Sequence, residues 1–65
     1  VSMIDDAIEQ ANEIVKIDAD NSDGYLFLGV AQCIKGNKTE GVANLKRAKD
    51  MGDNQAQSLI DKYGK

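Results

Sequence analysis

Histidine and proline are absent from the chain, and cysteine occurs once, as Cys33. One thiol cannot form an intramolecular disulfide, and a zinc site built on a single cysteine without histidine lacks its ligands. The missing histidine also removes the base from any Ser-His or Cys-His nucleophile pair. With no proline and little β-branched alternation, no strand is predicted anywhere. Positive charge is scarce too: 8 basic residues stand against 11 acidic ones, for a formal net charge of −3. Lys16, Lys35, Lys38, Lys46, Arg47, Lys49, Lys62 and Lys65 are spread along the sequence. Nucleic acid and anionic membrane surfaces both need a concentrated basic footprint, so neither is expected as a partner. No apolar run reaches the length of a membrane span, and no basic-then-apolar signal segment is present. The lone thiol weakly favours a reducing compartment, the cytoplasm, although a secreted chain with Cys33 buried would read the same.

What remains is 65 residues at 7.0 kDa, one small domain or a piece of a longer one. A chain of this size buries little apolar surface, so regular helix packing or a partner must supply its stability. Met3, Ile4, Ala7, Ile8, Ala11, Ile14 and Val15 recur at steps of three and four, which is one face of an amphipathic helix over residues 2–17. Ser2 with Asp5 reads as a capping box at its start. The acidic, turn-forming run Asp18-Ala19-Asp20-Asn21-Ser22-Asp23 breaks the pattern. A second helix over 23–35 is apolar almost all round and ends at Gly36, a residue suited to the left-handed conformation. Asn37 and Glu40 form a capping pattern for a third helix over 38–51, stopped by Gly52. Asp53 caps a fourth over 54–63, closed by Gly64, with Ala56, Leu59, Ile60 and Tyr63 on one face. The expected fold is all-α: four antiparallel helices with short turns, in one domain spanning 1–65.

The first and third helices carry matching small and apolar residues: Ala7 with Gly41, Ile8 with Val42 and Ile14 with Ala48, each pair 34 positions apart. A 34-residue helix-turn-helix period is that of tetratricopeptide arrays. Residues 22–54 resemble one such repeat, with Tyr25 at the family's aromatic position, Leu28-Gly29 at its Leu-Gly pair and Ala48 at its last small residue. Gly41 stands where the family has alanine, Leu45 where it has an aromatic, and Asp53 where it has proline. The run from Arg47 to Leu59 is also similar to the related Sel1-like repeats, which favour a Gly-Asp turn followed by Ala-Gln and Leu. The resemblance implies a trailing helix of one repeat, one full repeat and a final helix, the C-terminal part of a longer array. Gly29 and Gly41, inside helices, mark a close approach of helices two and three, with Gly41 facing Leu28 or a near neighbour. On that reading Gly41→Ala is expected to be neutral or slightly stabilising, and Gly41→Leu harmful.

The acidic turn begins like a calcium loop, but Asp23 falls where the loop glycine belongs and Gly29 where the bidentate glutamate belongs, so it reads as a helix-capping turn. Gly36 and Gly41 have phosphate-loop spacing, yet Val42-Ala43 follow them instead of lysine and a hydroxyl residue, and no strand precedes. Paired carboxylates such as Asp5 and Glu9 sit on a solvated helix face. No enzymatic activity, cofactor or metal is expected. The one anomaly is a second apolar stripe on helix two, formed by Leu26, Val30, Cys33 and Ile34. Three readings of it stand: cover by helices one and four or by a neighbouring repeat, a peptide groove, or a self-association surface that makes a homodimer. The resemblance implies a concave groove at these positions, where Asp23 and Asn37 are the hydrogen-bonding residues and the carboxylate clamp of some family members has no counterpart. Phe27 is assigned either to the seam between repeats or to the surface. The expected function is a protein-interaction module that binds a peptide or protein, or else a structural segment that caps an array.

Overall fold

The computed structural model describes residues 3–64. Four helices follow one another: α1 (Met3–Ile17), α2 (Ser22–Lys35), α3 (Lys38–Asp50) and α4 (Gln55–Tyr63), and no strand occurs among the described residues. The chain is all-α, as its periodicity predicts. The capping box assigned to Ser2 lies outside the described residues.

Local chemistry sets the helix ends. The Asn21 side chain accepts the Asp23 N–H at 2.9 Å and so starts α2. At the far end Gly36 takes φ +107°, its N–H bonds the Cys33 carbonyl, and the Asn37 N–H bonds that of Gln32 at 2.8 Å. That pair of bonds is a Schellman closure, which needs a residue free of a Cβ penalty at positive φ. Gly52, at φ +98°, repeats it after α3, where Asp53 N–H reaches the Ala48 carbonyl at 3.1 Å. Asn37 departs from expectation. It precedes α3 but makes no side-chain capping bond. Asp53 does cap, accepting the Gln55 N–H at 2.9 Å.

α2 is the hub, packed on α1, α3 and α4; α3 also packs on α4. Toward α3, α2 presents Tyr25, Gly29 and Gln32. The Arg47 guanidinium lies 4.8 Å from the centre of the Tyr25 ring. Asn44 donates to the Gln32 side chain at 2.6 Å, and Gln32 donates to Glu40 at 3.4 Å. Gly29 and Gly41 stand back to back. A Cβ built on Gly29 would lie 2.7 Å from the Gly41 carbonyl oxygen, and one on Gly41 would lie 2.7 Å from that of Gly29 and strike the Cys33 sulfur. The close approach is therefore glycine against glycine, and Gly41 faces Gly29, the near neighbour of Leu28, together with Cys33. A methyl group has no room there, which overturns the expectation that alanine is neutral at position 41. A third glycine, Gly24, brings α2 against Ile14 and Val15 of α1.

Tyr25, Leu26, Leu45, Ala48 and Ala56 form the buried core, with Val15, Val30, Cys33, Leu59 and Ile60 packed around it. Leu45, Ala48 and Ala56 are wholly buried. No buried side-chain polar atom lacks a partner among the described residues. The helices lie in a slab of 31 × 28 × 15 Å, and this thinness leaves one face of α2 incompletely covered.

Candidate functional site

The open face of α2 becomes a groove because α1 and α4 stand on either side of it without touching each other. α1 supplies one wall through Met3, Ile4, Ala7, Gln10, Ala11 and Ile14; α4 supplies the other through Gln55 and Leu59. Phe27, Val30, Ala31 and Ile34 of α2, with the edge of Leu26, make the floor. The groove holds about 550 Å³. Its α1 wall exists because residues three and four apart share a helix face, so one amphipathic stripe serves both α2 and the opening.

Three of the exposed large apolar side chains lie here, while Ile17 and Met51 lie outside the lining. Phe27 is 58% exposed, Ile34 52% and Met3 87%. Gln10 and Gln55 are the hydrogen-bonding side chains of the lining. The ion pair of Lys35 Nζ with Asp5 ties the start of α1 to the end of α2. Along the solvent side of α1, Asp6, Glu9 and Glu13 are exposed. They have no ion-pair partner among the described residues.

The six residues singled out from the sequence are separated by the fold. Val30 and Ile34 lie on the groove floor, and Leu26 contributes an edge while being 3% exposed and part of the core. Cys33 points to Gly41 and α3, away from the groove. Asp23 and Asn37, both exposed, lie outside its lining. Burial pushes the Cys33 thiol above the usual cysteine value, and the nearby Lys38 charge offsets part of that rise. Phe27, whose assignment was open between seam and surface, is the most exposed floor residue.

Sequence reasoning missed the α1 wall as part of a site. The signal was the 34-residue register itself, which aligns Ala7 and Ile14 with Gly41 and Ala48 and extends to Ala11 with Leu45. Residues that on α3 lie beneath another helix on α1 border an opening.

Among the described residues no group of three His, Cys, Asp or Glu side chains is placed to hold a metal ion, and no helix is long and apolar enough to cross a membrane. Comparison with protein-family models, with curated proteins and with solved structures returns no match for this chain.

Proposed function

We propose that this chain is a non-enzymatic protein-interaction module of the tetratricopeptide kind, docking a peptide or protein segment in the groove between α1 and α4. The observation that carries the reading is the apolar groove itself, with Phe27 and Ile34 half-exposed on its floor. Apolar side chains clustered in a concavity, rather than scattered singly, mark interaction surfaces. The tetratricopeptide assignment rests on the 34-residue correspondence of α1 with α3 and on Tyr25, Leu28, Gly29 and Ala48.

Peptides selected from a displayed library on the immobilised chain test the reading. They are expected to lose binding to Phe27→Ala and Ile34→Ala, two variants whose exposed positions leave the core intact. Ligands indifferent to both substitutions would place docking elsewhere.

The opposite side of α4 supports a second, compatible role. Gln57, Ser58, Asp61 and Lys62 are all exposed and outside the groove lining, and Gln57 donates to Asp61 at 2.9 Å. A polar outer face is what the terminal unit of a stacked array requires, so the same chain can end an array on its α4 side while its α1 side accepts a partner.

A further inference from the structure

Within the docking reading just given, on which this step rests, the groove's own chemistry selects its occupant. Backbone N–H and C=O groups entering an apolar space must find partners or forfeit their hydration. Only Gln10 and Gln55 along the lining offer hydrogen bonds, too few for an extended peptide that would leave a donor or acceptor at nearly every residue. A helix satisfies its backbone internally and needs only side-chain contact.

The internal register shows how a helix would sit. Gly41, Leu45 and Ala48 on α3 are all buried, and they lie under α2, which approaches through Gly29. Ala7, Ala11 and Ile14, 34 residues earlier, form the equivalent row on α1 and line the groove, with Ala7 exposed, Ile14 half-buried and Ala11 already buried. The wall from Met3 to Ile14 is about three turns long, roughly 17 Å at 1.5 Å per residue. Small residues at its centre suit the close packing of a second helix.

Charge then decides which helix. Asp6 and Glu13, four residues before and three after the groove-lining Gln10, flank the α1 wall without ion-pair partners among the described residues, and Lys16 is the single basic residue of α1. A second copy of this chain is the poorer match on charge. Its α1 would bring the same carboxylates against this rim, its α4 offers a polar outer face, and its basic helix α3 has Gly41, Leu45 and Ala48 already buried. We propose that the groove takes an amphipathic helix of a partner protein, about three to four turns long, with an apolar stripe at i, i+3, i+4 and i+7 and lysine or arginine on the flank that meets α1.

Three synthetic peptides of about 16 residues test this by fluorescence anisotropy against the purified chain. Two are helical and share one leucine-alanine stripe, with all-lysine or all-glutamate flanks; the third is the lysine peptide interrupted by two prolines. The lysine helix is expected to bind roughly tenfold or more tightly than the glutamate helix, to weaken with added salt, and to lose that preference on Asp6→Lys with Glu13→Lys. Phe27→Ala should weaken the lysine helix, and the proline peptide should not bind. Equal binding of both flanks, unmoved by the charge reversals, overturns the basic helix while leaving the docking reading standing. Binding of the proline peptide as tight as that of its parent overturns the helical occupant. If neither helix binds the folded chain and library-selected ligands also ignore Phe27, both readings fall together. A homodimer in sedimentation equilibrium that Phe27→Ala dissociates assigns the groove to a second copy and overturns the partner helix.

Discussion

At position 41 two demands on one residue conflict. Alanine is worth about 1 kcal/mol over glycine in a helix interior, yet its methyl would meet the Cys33 sulfur, the Gly29 carbonyl at 2.7 Å and the Cys33 nitrogen at 2.8 Å. Two of these three obstacles are backbone, which cannot rotate aside, so overpacking prevails. Gly41→Ala is expected to lower stability by about 1–3 kcal/mol in urea titrations; an unchanged or raised midpoint would show that α2 and α3 separate freely. The requirement for a small residue was legible in the sequence. The sign of the substitution was not, because it depends on finding another glycine's backbone opposite rather than the tip of a flexible side chain. Cys33, in the same contact, gives a pH test. Its thiol pKa is raised by burial, so the folded state holds the proton more tightly than the unfolded one. That stability is present below the ordinary cysteine pKa and is lost as pH rises through the folded value. Wild type should therefore lose more melting temperature than Cys33→Ala between neutral and alkaline pH, and parallel curves would remove the burial argument.

At the scale of elements, the joint between α3 and α4 depends on Asp53. One carboxylate oxygen accepts the Gln55 N–H at 2.9 Å, and the other accepts the Ser22 hydroxyl at 3.2 Å, tying the start of α4 to the start of α2. Removing the cap with Asp53→Ala should cost about 1–2 kcal/mol. Ser22→Ala alone should cost less, and a double-mutant cycle should show coupling between the two; strict additivity would mean that the Ser22 bond is immaterial. Helix ends of this kind are readable from sequence because their causes are local: Gly36 and Gly52 close Schellman turns, and Asp53 reaches two residues ahead. Asn37 shows the limit, since a capping residue at the right place makes no cap when its side chain turns to solvent. The two apolar stripes of α2 show a deeper one. Sequence leaves the second of them open between cover, groove and self-association, because which stripe is covered depends on where α1 and α4 stand around the α2 axis. That placement sends Cys33 toward α3 and leaves Phe27 open.

Across the whole molecule, cohesion is uneven. α2, α3 and α4 share the core, with Leu45, Ala48 and Ala56 fully buried, whereas α1 packs against α2 alone and buries only Ala11 among its described residues. Its attachment rests on Ile14 and Val15 against Gly24, on Val15 beside the core and on the exposed Lys35–Asp5 pair. A surface ion pair of that kind adds at most about 1 kcal/mol. An element held through one narrow contact opens at lower free energy than the core it leaves behind. Native-state hydrogen exchange should therefore show α1 amides exchanging well before those of α2 and α3, at a rate that rises further in Val15→Ala and barely changes in Leu59→Ala. The open groove has the same cause, because its α1 wall lacks the second helix that α3 has. A ligand seated there would contact α1 and α2 together and should slow α1 exchange by the factor its binding predicts, 1 + [L]/Kd, for as long as α1 opening abolishes the site. Uniform protection across all four helices in the free chain would mean that α1 is as firmly held as the core, and that the groove is a fixed hollow rather than an unfilled packing position.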